Sequence, residues 1–175
     1  MSNTNLNDLV GLIEIQPLEG ENIIHHLVYK TGLLDNLIHD DCTEEEYTEY
    51  LKNHKNLYQI SIDAEFGGFF SIEDSGTFGS TKTCEVHAFI PKQMRKYSKK
   101  FLISFAKFIF QMTSFEAIIT TVPTHCLHVV TLLESIGFEE YEYKPSQFTI
   151  NGEDIGIMSF YILKTQFGGK HGFTF

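Results

Sequence analysis

Residues 83–112 limit the possible fold more than any other part of this sequence, because a strand pattern there leads almost directly into a buried-helix pattern. Residues 83–90 form a strand-like run. Residues 98–111 are apolar almost all round, which is typical of a helix packed against a sheet. The chain is therefore predicted to contain a sheet with a helix on one face.

A basic turn joins these two predicted elements. Residues 92–100 hold five of the thirteen lysines and arginines, including the only arginine, Arg95. A turn from a strand end to a helix start presents free backbone N–H groups at the positive end of the helix dipole. We predict an anion site here, with a solvated charged loop as the alternative that charge leaves open.

Size and composition predict one domain. The chain has 175 residues, 42% of them hydrophobic, and a domain of this size buries roughly 70% of its unfolded surface. Sixteen Phe, eight Tyr and no Trp suggest a core built on phenylalanine. Cysteines 42, 84 and 126 are too widely spaced for a disulfide framework or a zinc module, so a reducing, cytoplasmic setting is expected.

The net charge of −10 disfavours general nucleic-acid binding and favours cationic partners. Residues 1–55 contribute eleven acids against three bases, and the acidic run 40–46 either steers a cationic substrate or simply opens a helix. No export signal is evident, and no apolar stretch approaches the ~18 residues that span a bilayer. We expect no membrane association.

The predicted N-terminal part, residues 18–55, is largely helical. A first strand is predicted over 9–15, followed by short helices over 22–29 and 33–38. Thr43 and Glu46 form a capping-box pattern that opens a helix to about residue 52.

The predicted core, residues 57–165, is a mixed sheet with flanking helices. Its pattern predicts strands over 57–63, 69–73, 82–90 and 117–122, helices over 98–111 and 125–136, and a hairpin of 138–150 and 154–163 around Asn151-Gly152. Glycines are expected in the turns. The fold class is α/β or α+β with a mostly antiparallel central sheet, in one domain over 1–165, with 166–175 as a flexible tail.

This order of elements resembles the GNAT N-acetyltransferase superfamily. Glu85-Val-His-Ala-Phe-Ile-Pro91 is similar to the fourth strand of that family, and Leu132-Leu-Glu-Ser-Ile-Gly-Phe138 to the end of its last helix. The closing hairpin, 150–163, is similar to that of its ribosomal-protein and antibiotic N-acetyltransferase branch. Phage genomes carry small divergent members of this kind, so a phage-encoded protein in host cytoplasm is one expectation.

The resemblance implies acetyl-coenzyme A as cofactor. It places backbone groups for the cofactor at the end of the fourth strand and loop groups on its pyrophosphate. The corresponding residues here are Phe89, Ile90, Pro91, Arg95, Lys96, Tyr97, Ser98, Lys99 and Lys100.

Two departures from the family pattern affect this expectation. The family's pyrophosphate loop begins with Gln or Arg and has small residues at two later positions, where this chain has Ser98 and Lys100. The small residues let backbone approach phosphate closely. In addition, the family's last helix often carries an early Asn and a later Tyr that protonates the leaving thiolate, and Cys126 and Leu133 occupy these positions.

The resemblance also puts the reaction near the middle of the fourth strand, at Glu85 and His87. Period-two alternation places both on one face, and a carboxylate or imidazole can take the proton that an attacking amine must lose. Glu85 is the first candidate for the base and His87 the second. The alternative is that both are ordinary strand residues without a catalytic role.

Other chemistry is disfavoured by the same alternation. Cys84 faces away from His87, which argues against a thiol nucleophile and against a zinc site built from these two with His125, Cys126 and His128. No metal is expected.

The leading hypothesis is an acetyl-coenzyme A-dependent N-acetyltransferase acting on a primary amine. The expected acceptor is a cationic small molecule or a protein. A catalytically inactive GNAT-like module, for instance a phage accessory protein, is the alternative. A nucleotide or polyanion sensor is a third hypothesis.

Overall fold

The computed structural model describes residues 12–18, 43–53 and 56–175. The predicted helices over 22–29 and 33–38, and residues 9–11 of the predicted first strand, lie outside these residues. In chain order the elements are β1 (Ile13–Pro17), α1 (Glu44–Asn53), β2 (Leu57–Ile62), β3 (Glu65–Phe78), β4 (Thr81–Phe89), a 3-10 helix (Lys92–Tyr97), α2 (Ser98–Met112), β5 (Ala117–Pro123), α3 (Leu127–Ile136), β6 (Glu139–Ile150), β7 (Glu153–Leu163) and α4 (Lys164–His171).

The described strands form one sheet in the order β1-β2-β3-β4-β5-β7-β6. Neighbouring strands are antiparallel except β4 and β5, which are parallel and connected through α2. A parallel pair needs such a crossover, whereas the antiparallel pairs β2–β3, β3–β4 and β6–β7 are joined by tight turns. The predicted fold class is confirmed.

Helices α2 and α3 cover one face of the sheet, where the main core lies. Phe105 of α2 stacks on Phe70 of β3 with ring centroids 4.2 Å apart. Six phenylalanines of this core are at most 1% exposed: Phe70, Phe101, Phe105, Phe110, Phe160 and Phe167. Large aromatic side chains bury much apolar area each, so the core depends on phenylalanine, as the composition predicts.

Helix α1 packs on the opposite face. Leu51 of α1 joins Leu57, Phe69 and Phe89 in a smaller buried cluster. Phe69 and Phe89 are directly opposed on β3 and β4, and their rings stack 4.5 Å apart. The start of α1 confirms the capping box: Glu46 accepts from the Thr43 N–H at 2.9 Å, and the Glu46 N–H donates to Thr43 Oγ1 at 3.2 Å.

One predicted turn is in a different place. Residues 67–68 were expected to form the glycine turn before a strand over 69–73, but both lie inside the longer β3, where a bulge shifts the register against β2. Asp63 and Ala64 make the turn, with φ of 51° and 64°. Glycine marks bulges as well as turns, which is why the pattern did not separate them.

The structure differs from the flexible tail predicted over 166–175. Residues 164–171 form α4, and Phe167 is fully buried against Phe110 with ring centroids 5.6 Å apart. Phe173 follows the helix and packs on the same core. Aromatic burial holds this segment in spite of its glycines. The start of α3 also differs, since His125 precedes the helix rather than beginning it.

Candidate functional site

The sheet opens between β4 and β5. The two strands pair over only three positions, Thr83–Glu85 with Ala117–Ile119. Beyond them β4 continues beside β3 as far as Phe89, and β5 continues beside β7 as far as Pro123. Each strand thus stays paired on its outer side while the inner sides separate, which leaves a cleft that begins directly after Glu85.

The helix side of this cleft is apolar. A cavity of about 30 Å³, room for a single water molecule, lies between the separating strands and helices α2 and α3. Its lining is Val86, Ala88, Leu102, Phe105, Ala106, Ile109, Ile118, Thr120, Leu133 and Phe138. Leu133, which stands where the family's tyrosine was expected, therefore faces the cleft with a hydrocarbon side chain.

The predicted anion site lies at the end of β4. The 3-10 helix runs directly into α2, and Met94, only 5% exposed, anchors it to the core. Lys92, Arg95, Lys96 and Lys99 are exposed and Lys100 is half-buried. Within the described ranges no Asp or Glu forms an ion pair with any of these five. Their positive charge is therefore available to an anion.

The backbone of this basic segment differs from an open glycine loop. The Met94 N–H donates to the Pro91 carbonyl at 2.9 Å, and the Ser98 N–H donates to the Arg95 carbonyl. These two amides are used within the segment. Lys96 also places its ammonium nitrogen 4.8 Å from the centre of the Tyr97 ring. Side-chain charge, more than backbone N–H groups, is what the segment offers to a phosphate.

The three residues before the basic segment, 89–91, present backbone groups rather than side chains to a ligand. Phe89 is 8% exposed and stacked on Phe69, and Pro91 is also buried, with Ile90 half-buried between them. Gly68 lies against the Phe89 carbonyl, which fixes the last residue of the strand. The end of β4 is therefore rigid.

The start of α3 lies across the mouth of the cleft from the basic segment. Burial raises the pKa of the Cys126 thiol, and the nearby charge of Arg95 lowers it in part. His125 and His128 beside it are exposed. In the described part of the chain, no three His, Cys, Asp or Glu residues are grouped as metal ligands would be.

Glu85 and His87 lie together at the point where the strands separate. Glu85 Oε1 is 3.5 Å from His87 Nε2, and the two side chains are 30% and 33% exposed. Thr121 of β5 donates to Glu85 Oε1 across the cleft at 3.4 Å. Cys84 and Val86 point into the core on the other face, at 0% and 6% exposure, so the alternation of β4 is as predicted.

Two further residues belong to this constellation and were not predicted. Glu73 of β3 is directly opposite Glu85, and the Tyr50 hydroxyl of α1 donates to Glu73 Oε1. The pKa of Tyr50 is raised by burial first and then by the hydrogen bond to Glu73 and the charges of Glu73 and Glu85. Tyr50 therefore keeps its proton at neutral pH. The acidic character of α1 was the only signal in the sequence.

The strand order, the cleft after Glu85 and the helix that begins at the basic segment define the class: the chain has the GNAT acetyltransferase fold. It is similar to the spermidine N-acetyltransferase from Vibrio cholerae in complex with CoA and spermine, with a TM-score of 0.72 and 17% identity over 89% of this chain and 97% of that one.

Two other solved structures show the same likeness. The GNAT-family acetyltransferase from Bacillus anthracis has a TM-score of 0.67 and 16% identity, covering 89% of this chain and 97% of its own. A Salmonella typhimurium protein solved with its cofactor acetyl-CoA has a TM-score of 0.64 and 13% identity, covering 86% and 93%. At these identities the likeness concerns the fold.

The particular family follows from the sequence match. Residues 24–168 match the model of the family described as a protein of unknown function, DUF2824, and the chain belongs to that family. No curated protein matches the chain in sequence. Across the described residues, no helix has the length and apolar character needed to cross a membrane.

Proposed function

We propose that this protein is an acetyl-coenzyme A-dependent N-acetyltransferase that transfers the acetyl group to a primary amine by direct attack. Glu85 is the general base, with His87 beside it, and the basic segment 92–100 holds the phosphates of the acetyl donor. The neighbours solved with CoA or acetyl-CoA, one of them also with spermine, support a donor and an acceptor of these kinds.

The observation that carries the proposal is the cleft between β4 and β5, with Glu85 at its closed end and the basic segment at its mouth. Residues 86–91 separate the two, and the four of them that belong to β4, residues 86–89, span about 13 Å along the extended strand. An extended pantetheine arm is of this order. Its amides match the free inner edge of β4, and its hydrocarbon parts match the apolar lining of the cleft.

The chemistry is that of acyl transfer without a covalent enzyme intermediate. The acceptor ammonium loses a proton to Glu85, and its nitrogen then attacks the thioester carbonyl carbon. The C–S bond breaks, the acetyl group remains on nitrogen as an amide, and the second proton that the nitrogen loses passes through water to the thiolate. Thr121 and His87 hold the Glu85 carboxylate in place for the first step.

The residues present fit the donor in charge and shape but not in every detail. Five basic residues without a described acidic partner suit a pyrophosphate, since charge-assisted contacts from Lys and Arg are strong. The 3-10 helix, however, uses amides of Met94 and Ser98 internally. We expect the donor to be held more by side chains than is usual for a glycine loop, and its affinity to fall steeply with salt.

A second candidate function is a catalytically inactive GNAT-like binding or structural module, such as a phage accessory protein. The buried Leu133 favours it, because this side chain lines the cleft where a proton donor was expected and offers no proton.

Calorimetry with acetyl-coenzyme A tests the proposal directly. We expect binding at micromolar concentrations, and replacing Arg95 and Lys96 with Gln should weaken it roughly tenfold for each charge removed. Pantetheine, which lacks the phosphates, should be unaffected by these changes, and Lys144→Gln on β6 serves as the charge-matched control. Absence of binding at high micromolar acetyl-coenzyme A would end the proposal in favour of the inactive module.

Glu85→Gln tests the base. The variant should bind acetyl-coenzyme A as the parent does and lose turnover by about 100-fold or more, because general base catalysis typically contributes 10²–10⁴ in rate. Turnover is measured by the release of free thiol with a primary amine as acceptor. Unchanged turnover would remove Glu85 as base and direct the same measurement to His87→Gln.

A further inference from the structure

Two carboxylates are placed directly opposite each other on adjacent strands. Glu73 of β3 and Glu85 of β4 are paired in register, so their side chains leave the same face of the sheet. Like charges in directly opposed positions destabilise a strand pair. In the described ranges no lysine or arginine pairs with Glu85, whose partners are His87 and Thr121. Glu85 therefore offers its negative charge to a cationic ligand.

A buried hydroxyl beside these carboxylates also points to a ligand. Ser71 is 1% exposed, and its Oγ has no hydrogen-bond partner among the described residues. It lies directly opposite His87 and two residues before Glu73, on the same face of the sheet as both. A buried polar group without a partner costs free energy, and native structures rarely leave one unless a ligand, ion or water completes it.

Helix α1 covers this part of the face. Its Tyr50 donates a hydrogen bond to Glu73. Its Thr48 carries a second buried hydroxyl, at 5% exposure, for which the described part of the chain supplies no partner. Thr48 is on the same side of α1 as Leu51, which packs against the sheet. Carboxylate and hydroxyl oxygens and an imidazole therefore line the side of the sheet that α1 covers.

A primary ammonium group fits this lining. It carries one positive charge and three N–H donors in a compact head and has no acceptor of its own. Two carboxylates satisfy its charge, and carboxylate and hydroxyl oxygens accept its three hydrogen bonds. A carboxylate or phosphate placed here would meet Glu73 and Glu85 as like charges.

We propose that Glu73, Glu85 and Ser71 bind the ammonium group of a linear aliphatic amine, with Tyr50 as the positioning residue of Glu73. The acceptor class is thus an alkylammonium ion, and a second cationic group on the same molecule is preferred over a carboxylate. Identifying this ligand as an acetyl acceptor rests on the proposed function, but its binding does not.

Binding of three four-carbon probes at pH 7.5 tests this site without any acetyl donor. Titrations followed by nuclear magnetic resonance should give affinities in the order 1,4-diaminobutane, butylamine, 4-aminobutanoate. Glu73→Gln should weaken 1,4-diaminobutane by about 10- to 100-fold, the effect expected for one hydrogen bond to a charged group. Glu65→Gln, an exposed residue of the same strand, is the charge-matched control and should change nothing.

Tyr50→Phe and Ser71→Ala test the supporting groups, and both remove little more than one oxygen. Each should weaken 1,4-diaminobutane severalfold. In turnover, Tyr50→Phe should raise KM for the amine and leave both kcat and acetyl-coenzyme A affinity unchanged, a split that a general loss of structure would not produce. If Glu73→Gln does not fold, Tyr50→Phe provides the test.

Equal affinity for 4-aminobutanoate and 1,4-diaminobutane, no binding of the diamine, or an unchanged affinity in Glu73→Gln would each overturn the amine site. The proposed function fails separately. Glu73-dependent diamine binding without acetyl-coenzyme A binding would leave the amine site standing and remove the acetyltransferase, whereas donor binding without diamine binding would do the reverse.

Discussion

Gly68 fixes the end of β4 against β3. Its φ is +144°, a backbone region that side chains rarely adopt, and a Cβ at this position would lie 2.5 Å from the Phe89 carbonyl oxygen. Phe89 is the last residue of β4 and the first of the proposed donor site. At the scale of single residues, the absence of a side chain at position 68 thus lets β3 and the end of β4 approach closely at the mouth of the cleft.

Gly68→Ala is expected to lower the free energy of unfolding by about 2 kcal/mol or more, because it adds both a strained φ and a backbone clash. Gly79→Ala is the matched control, since Gly79 also has a positive φ, +65°, but open space around its Cα. It should cost only about 1 kcal/mol, the usual strain of the left-handed region. Urea unfolding of both variants measures the difference, and equal losses would contradict the clash.

The candidate site was predictable only where its geometry is local. Glu85 and His87 could be placed on one face because strand alternation depends on neighbouring residues. Glu73 and Tyr50 could not, since their position depends on the register of β3 against β4 and on the docking of α1. A slip of one residue reverses the face of every side chain, and no local pattern fixes the register here.

At the scale of elements, α4 depends strongly on tertiary contacts, chiefly the burial of Phe167. Its sequence, Lys164–His171, includes Gly168 and Gly169, which disfavour helix. A Cβ at Gly168 would lie 2.8 Å from the Phe173 carbonyl oxygen, so the close return of the chain after the helix uses that glycine. The strands and the longer helices were predictable from their apolar periodicity, whereas this helix was not, because burial overrides its propensity.

Phe167→Ala is expected to cost about 3–5 kcal/mol, the range for truncating a buried phenylalanine. Phe167 is fully buried and contacts Phe110, Phe173 and Phe175. Thr165 lies two residues earlier in α4 and is exposed. The free energy of unfolding of Thr165→Ala should stay within about 0.5 kcal/mol of the parent. Thermal unfolding followed by circular dichroism compares them, and a small loss for Phe167→Ala would mean that α4 adds little to the core.

At the scale of the whole molecule, the buried thiol of Cys84 and the hydroxyl of Tyr50 make stability depend on alkaline pH. Burial, followed by the charge of Asp74, raises the pKa of Cys84 to about 12. The pKa of Tyr50 is raised as well, by burial and by Glu73. In the unfolded chain a cysteine ionises near about 8.5. The unfolded state therefore releases its protons first, and stability falls as pH rises above that value.

The free energy of unfolding should decline between about pH 8.5 and pH 12, with a contribution from Cys84 of up to about 1.4 kcal/mol per pH unit. Cys84→Ala should decline less steeply over the same interval, although it starts from a lower stability. Urea unfolding at several pH values measures both slopes, and parallel curves would show that Cys84 does not contribute.

The short pairing between β4 and β5 divides the sheet into two halves, β1–β4 and β5–β7, that share only three residue pairs along their common border. This is the shortest pairing between described strands, and we expect its amides to exchange hydrogen faster than those of the longer pairings inside the sheet. A molecule bound in the cleft would bridge the halves and stabilise the folded state by RT ln(1 + [L]/Kd). Ligand and fold are then coupled: occupancy of the cleft decides whether the two halves open independently or as one unit.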